Sequence, residues 1–444
     1  MKLKVGQTIR VGFAFLSICA FWQMYNTIIP LVLTNTFHMN ETLSGVIMAA
    51  DNVLALFLLP LFGGISDRCK SKMGKRKPFI LFGTIAAVIL SCCLPLIDNS
   101  YFANPSTGKL ALFIGILGAL LVAMGTYRSP AVALMPDVTP KPLRSQGNAI
   151  INLMGALGGI LYLGISAVLY SRSRTEGLAH VNYFPIFLIV AGIMILALLV
   201  VMLTVNEVKL TKEVADYEAA HPEEDLTVVD ESGNRELPPE VKRSLLFLLI
   251  SIALWFISYN AVETWFTTYA NAKWNMSLGA ANTCLLIANA GAILSYVPVG
   301  AIAGKIGRKK TILAGVLIMA AGFFVAFLYT FLVGAFTPAL YILFFLVGMS
   351  WAAINVNSLP MVLEMCKGSD IGKFTGYYYT FSMAAQIVTP IVAGWLLHNV
   401  GYNTLFIYAT VFMIAAFITM QFVRHGDAKV AGKKGLSAYE DMDS

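Results

Sequence analysis

Long apolar stretches alternate with short polar ones along most of the chain. Stretches free of Asp, Glu, Lys and Arg cover 11–40, 78–97, 110–127, 145–171, 181–206, 244–262, 274–304, 311–363 and 374–423. A helix rises ~1.5 Å per residue, so about 20 apolar residues cross the hydrocarbon core of a bilayer. Each stretch is therefore predicted to be a membrane-spanning helix, and the two longest to hold two helices each. The segment 334–338 (Gly-Ala-Phe-Thr-Pro) breaks the first of these, and 398–403 (His-Asn-Val-Gly-Tyr-Asn) breaks the second. A further span, 43–66, is apolar but for Asp51, and the spans starting near 110 and 244 run on past Arg128 and Glu263. The pattern predicts twelve transmembrane helices, an all-α polytopic membrane protein in two six-helix bundles.

The bundles are expected at 1–205 and 244–424. Between them, 206–243 holds 11 acidic and 5 basic residues with Pro222, Pro238 and Pro239, and reads as a solvated, partly helical cytoplasmic linker. The tail 425–444 is polar and expected to be mobile in the cytoplasm. No cleavable signal is recognised at the N-terminus.

Composition agrees with this reading. The 444 residues are 58% hydrophobic and 12% charged, against about 25% charged in soluble domains. With both termini placed in the cytoplasm, 26 of the 31 Lys and Arg fall in cytoplasmic segments. Short loops rich in Lys and Arg stay inside, and the basic runs at 68–77 and 305–310 obey that rule. A nucleic-acid partner would need these charges on one continuous face, so the net charge of +7 reads as topology and no such partner is expected. The six cysteines show neither a disulfide framework nor zinc spacing. No nucleophile–base set or phosphate-cradling loop appears, and the five histidines are scattered, so neither enzyme chemistry nor a cofactor or metal is expected.

One loop is written twice. Leu59-Pro60-Leu61-Phe62-Gly63 leads to Ser66-Asp67-Arg68 and then Gly74-Lys75-Arg76-Lys77. Val297-Pro298-Val299-Gly300 leads to Gly304-Lys305 and then Gly307-Arg308-Lys309-Lys310. Each copy lies between the second and third span of its half, as in transporters built from parallel repeats. The loop resembles the major facilitator signature, and the resemblance implies a cytoplasmic gate formed by Asp67, Arg68, Gly74, Arg76, Asp137, Arg144, Lys305 and Arg308. A basic loop that only sets topology is the alternative. The segments 64–80, Arg128-Ser129-Pro130 through Asp137 with Arg144 and Gly147-Asn148-Ala149, and Tyr259-Asn260-Ala261-Val262-Glu263-Thr264 resemble the sucrose–proton and glycoside–pentoside–hexuronide:cation symporters. That resemblance implies a sugar or glycoside cargo carried with a proton or Na+. The melibiose-type cation site has an Asp pair where this chain has Ala55 and Leu59, so H+ is favoured over Na+. The helix-4 Arg of the sucrose carriers is matched here by Val132, with Arg128 one turn earlier.

Charge inside a bilayer needs a reason, since a lone Asp or Arg there costs about 2.5–3.5 kcal/mol even on lenient scales. Asp51, Arg128 and Glu263 are the three clear cases. Asp51 is 16 residues from Asp67 and Glu263 18 from Leu245, so both acids lie roughly 24–27 Å above the cytoplasmic edge. Arg128 is nine residues from Asp137, about 13–14 Å up, too low for a direct ion pair with Asp51 in untilted helices. Glu263 and Asp51 are the candidate proton carriers, with an inter-helix hydrogen bond as the structural alternative for each. Arg128, Trp22, Gln23, Tyr25, Asn26, Asn148, Asn152, Tyr259, Asn260, Trp351, Asn355, Asn357 and Gln386 are the candidate cargo contacts, because sugars need hydroxyl partners and a flat apolar face. Tyr377–379 and Trp274 are discounted as interfacial anchors. Gly155/Gly159 and Gly300/Gly304 have spacing suited to close helix contact, either between the fifth and eighth spans or in ordinary packing.

The expected function is import of a sugar with H+ by alternating access, with export of amphipathic compounds as the alternative. The expected setting is the lipid bilayer of the plasma membrane, and the expected unit a monomer.

Overall fold

The computed structural model describes residues 4–140, 144–220, 237–365 and 371–427. Part of the predicted linker (221–236) and most of the predicted tail (428–444) lie outside it, as do the side chains of Arg144 and Asn148. The chain forms α1 (Val5–Leu31, continued by a π turn Val32–Thr36), α2 (Glu41–Asp67), α3 (Lys77–Ala103), α4 (Thr107–Asp137) and α5 (Arg144–Leu169). A short α6 (Arg172–Thr175) precedes α7 (Phe184–Thr204), and α8 (Glu207–Ala220) follows it. The rest is α9 (Pro239–Trp274), α10 (Leu278–Ile306), α11 (Arg308–Leu332), α12 (Ala339–Leu363), α13 (Ile371–Asn399) and α14 (Thr404–Gln421). Twelve of these are long and apolar enough to cross a membrane, as the hydropathy pattern predicts.

Lipid offers backbone groups no hydrogen bonds, so spanning segments satisfy them within helices. Leu203, Leu332 and Phe57 are 80%, 82% and 70% exposed, as suits side chains facing acyl tails rather than water. The predicted breaks fall where glycines take positive φ, +67° at Gly334 and +120° at Gly401. Helices do not stop at the first charge, however. α3 runs six residues past Ile97 to Ala103 and carries Asp98 inside it, 0% exposed.

The chain divides into two compact units, Met1–Asn40 with Ala50–Asp225 and Ser277–Asn282, and Glu41–Ala49 with Leu226–Met276 and Thr283–Ser444. In the first, α1 packs along α5 and α7, and α3 along α4 and α7. In the second, α9 packs along α13 and α14, and α11 along α12 and α14. The chain order of contacts is the same in both, which makes the duplicated loop part of a duplicated bundle.

Small residues set the closest approaches. A Cβ on Gly158 of α5 would lie 2.0 Å from the Leu16 carbonyl oxygen of α1. In the second unit Gly348 of α12 meets the Ala288 carbonyl of α10 at 1.8 Å on the same construction, and Gly291 meets that of Phe345 at 2.5 Å. The first turns of α2 join the second unit in this way. Gly45 fits under Pro390, Glu41 accepts from the Tyr402 hydroxyl at 2.5 Å, and His398 Nδ1 lies 3.1 Å from Glu41. Burial and the Glu41 carboxylate push the Tyr402 phenol up from its ordinary value.

Of the two readings of the small-residue spacing, ordinary packing is the one found at Gly155. Gly155 meets Cys19 and Phe15 of α1, and Gly300 meets nothing within 4 Å. α10 reaches α5 instead through Gly279, whose N–H donates to Tyr170 O at 2.9 Å, and Asn282, which donates to Ser166 Oγ at 2.7 Å. Spacing identifies a small face but not its neighbour, and the small face of α5 turns to α1.

Gly348→Ala is expected to cost about 1–3 kcal/mol through overpacking and to lower the thermal midpoint of the detergent-solubilised protein. Gly300→Ala, with open space around it, should leave that midpoint unchanged.

Candidate functional site

The duplicated loop builds a charged clasp. α3 starts in the protein interior, where its first N–H groups have no partner within the helix. Glu207, just past the end of α7 and 2% exposed, meets them. Its Oε1 accepts from Lys75 N (2.7 Å) and Arg76 N (2.9 Å), and its Oε2 from Lys77 N (3.0 Å). Gly74 makes this possible at φ +109°, since a Cβ there would overlap the Glu207 carboxyl. In return Lys77 Nζ donates to Met202 O (2.9 Å) and Val205 O (2.8 Å), the open carbonyls at the end of α7. Arg76, 5% exposed, spends its guanidinium on Asp137 at the end of α4 (Nε–Oδ2 2.8 Å), on Asp67 and Ser66 of α2, and on Gly63 O at 3.3 Å. Lys75 Nζ adds a second contact to Asp137 at 3.2 Å.

The second unit repeats the device. Asp427, past the end of α14, accepts from Lys309 N at 3.0 Å. Lys309 Nζ donates to Gln421 O (3.0 Å) and Val423 O (2.6 Å). Arg308 pairs with Glu364 at the end of α12. The contacts equate Arg76 with Arg308 and Lys77 with Lys309, one residue away from the register in which the two Gly-initiated motifs are read by eye. Of the predicted gate residues, Asp67, Gly74, Arg76, Asp137 and Arg308 belong to these clasps. Arg68 and Lys305 are exposed and join neither clasp, and Arg144 lies outside the described side chains. Glu207, Glu364 and Asp427 were missed by sequence reasoning, although an acid at the matching place after the sixth and twelfth spans was visible. Glu207 also corrects the reading of 206–243 as wholly solvated.

In the middle of the first unit, Arg128 of α4 lies with Cζ 5.7 Å from the centre of the Trp22 ring on α1. Trp22 meets Tyr25 edge-on at 5.4 Å. The Trp22 Nε1 and the Tyr25 hydroxyl are buried and have no hydrogen-bond partner among the described residues. Asp51 accepts from Asn52 N (2.7 Å) and Nδ2 (2.9 Å) and lies within electrostatic reach of both Arg128 and Tyr25. Among the described residues Asp51 and Arg128 make no direct ion pair, as their depths predict. Gln23 and Asn26 are half-buried on α1, and Asn152 of α5 is 2% exposed. Asn148 lies outside the described side chains.

In the second unit, the Tyr259 and Trp351 rings stack at 3.8 Å and 6°. Glu263, half-buried one turn beyond Tyr259, acts electrostatically on its hydroxyl. Asn355 is 4% exposed, and its Oδ1 has no hydrogen-bond partner among the described residues. Asn260 and Asn357 donate to carbonyls of their own helices, Phe256 O (2.8 Å) and Ala353 O (2.9 Å). Gln386 is half-buried on α13.

Two discounted groups turn out to be core. Tyr378 is 0% exposed and bonded to Ser358 at 3.2 Å. Trp274 is 3% exposed among Phe266, Tyr269, Tyr329 and Phe406. Proximity to a helix end does not decide whether a ring faces lipid or protein.

The family model described as Major Facilitator Superfamily matches residues 11–288 and again 269–438. The sucrose transport protein SUC3 of Arabidopsis thaliana is 32% identical over 147 residues, 30% of this chain and 24% of that protein. Proton-associated sugar transporter A of Homo sapiens is 35% identical over 112 residues, 24% of this chain and 15% of that protein. The matched stretches therefore span about a quarter or less of these relatives. Among solved structures, the inward open conformation of the xylose transporter XylE from E. coli superposes with a TM-score of 0.69 at 13% identity, covering 99% of both chains. A POT family transporter in complex with 5-aminolevulinic acid superposes with 0.68 at 12% identity, over 93% of this chain and 94% of that one. At these identities the likeness establishes the fold.

Glu207→Ala leaves three N–H groups of the α3 start without their acceptor and is expected to destabilise by about 1–3 kcal/mol. Asp427→Ala, which strands one such group, should cost less. Thermal unfolding of the two purified variants side by side reads the difference.

Proposed function

Because the chain belongs to the Major Facilitator Superfamily, we propose that this transporter carries a sugar or glycoside across the membrane together with a proton. The supporting observation is the group formed by Arg128, Trp22 and Tyr25. It offers a flat indole, a guanidinium over it, and two buried donors left unbonded within the described residues. A buried donor without a partner costs about 1–3 kcal/mol, and a pyranose supplies what is missing: hydroxyl oxygens for the donors and a face of C–H bonds for the ring. The stacked Tyr259 and Trp351 give the second unit a similar apolar platform. Curated relatives named for sucrose transport and for proton-associated sugar transport agree with this cargo class.

The chemistry asked of the residues is modest. Arg128 donates to cargo hydroxyls. Asp51, within electrostatic reach of Arg128, takes up a proton when the site is dry and gives it up when water or the guanidinium draws close. Glu263, beside Tyr259, does the same in the second unit. A neutral carboxylic acid crosses a low-dielectric interior at far lower cost than a carboxylate, so proton loading permits the change of exposure that alternating access requires. Both termini lie in the cytoplasm of this reading, in the plasma membrane, with the clasps at the cytoplasmic end.

In proteoliposomes, an inwardly directed proton gradient is expected to drive accumulation of a labelled disaccharide or glycoside. Failure of every sugar tested, or accumulation driven by Na+ alone, would sink the proposal. Glu263→Gln should abolish accumulation while leaving cargo exchange, and wild-type accumulation in that variant would remove Glu263 from coupling. Arg128→Lys should raise the half-saturation concentration about tenfold, which corresponds to about 1.4 kcal/mol.

A further inference from the structure

The first unit buries an acid that the transport reading does not use. Asp98 lies on α3, 21 residues beyond Lys77, about 31 Å along the helix axis and so at the membrane edge opposite the clasp. It is 0% exposed, and neither carboxyl oxygen has a well-formed hydrogen bond among the described residues. The Thr36 hydroxyl of the π turn lies beside it. Among the described residues its one ion-pair contact is His180 Nε2 at 3.5 Å, on the connection between α6 and α7. The same Nε2 sits at hydrogen-bond distance, 2.9 Å, from Asn99 Oδ1, and the imidazole stacks on Phe102 at 4.5 Å and 12°. Asn99 in turn donates to Asn182 (2.8 Å), whose Oδ1 also accepts from Phe184 N (2.9 Å) at the start of α7.

The other titratable groups nearby leave the pair alone. Tyr183, at the head of α7, feels the Asp98 charge, and burial holds its phenol and that of neighbouring Tyr170 above their ordinary value. Lys109 of α4 is occupied by Ser100 O and Asn104 O, both at 2.8 Å. Tyr101 is turned to Phe37. Burial holds the His180 ring below the ordinary imidazole value, so at neutral pH its Nε2–H goes to Asn99 rather than forming a charged pair. An ionised carboxylate stripped of water with no bonded partner costs several kcal/mol. The geometry therefore suits one proton held between a carboxyl and an imidazole, as acid beside neutral ring or as carboxylate beside imidazolium.

We propose that Asp98 and His180 form a proton-binding site distinct from Asp51 and Glu263, loaded from the side of the membrane opposite the duplicated loop. His180, with its side chain 13% exposed, is the contact with the aqueous phase, and Asp98 is the buried store. Proton occupancy then fixes the end of α3 to the segment leading into α7. The side from which it loads rests on the orientation proposed above, whereas the existence of the site does not.

Infrared difference spectroscopy of the purified full-length protein, titrated with pH in the absence of any cargo, tests it. A protonated-carboxyl carbonyl band is expected that vanishes in Asp98→Asn and persists in Asp51→Asn and Glu263→Gln. In His180→Gln, a change at the protein surface, the band should remain and its midpoint should move by about one unit. A spectrum unchanged by Asp98→Asn, or a midpoint unmoved by His180→Gln, overturns the proposal. Because the readout needs no cargo, a failed sugar assay and a failed titration are separate results.

Discussion

A helix that begins inside a protein exposes N–H groups that neither water nor its own backbone can satisfy, and a helix that ends there leaves carbonyls in the same position. The third span of the first half starts under this constraint and its sixth ends under it, while the matching bond of the second half, Lys309 N to Asp427, lies at an exposed position. One exchange of charge answers both. An acid beyond the sixth span accepts from the start of the third, and a lysine at that start donates to the last carbonyls of the sixth. With those two ends fixed, the neighbouring arginine is held against the acid that ends the fourth span. Three helix termini are thus joined by charge and hydrogen bonds, which are more selective between partners than apolar contact among membrane helices.

The same medium explains the two centres. Away from the clasps, many polar groups within the spans are bonded to their own helix, as Asn260 and Asn357 are. The indole of Trp22 and the hydroxyl of Tyr25, unbonded among the described residues, lie by contrast next to a guanidinium. They are buried donors in a place where burial without a bond is costly.

The twelve spans and the breaks at Gly334 and Gly401 were legible because span length and turn residues are local properties of the chain. The repeated loop was legible for the same reason. What stayed hidden depended on partners far along the sequence. Glu207 reads as one acid among many in a charged stretch until α3 is brought to it, and the register of Arg76 with Arg308 is set by contacts rather than by the glycines that introduce each motif. Asp98 was missed because the charge-free stretch 78–97 ends just before it, whereas the helix continued and buried the acid. The small faces of α5 and α10 were recognised, but the sequence does not encode which neighbour each one meets.

The two clasps differ in a way that follows from side-chain reach. In the first unit the helix start is met by a glutamate and the arginine by an aspartate, Glu207 and Asp137; in the second it is met by an aspartate and the arginine by a glutamate, Asp427 and Glu364. In these two seats each half carries one long and one short acid, in opposite order, and the first half adds Asp67 on its arginine. A loop transplanted from one half to the other would find one carboxylate a methylene too near and the other a methylene too far. The duplicated halves are therefore equivalent as architecture but not exchangeable as components.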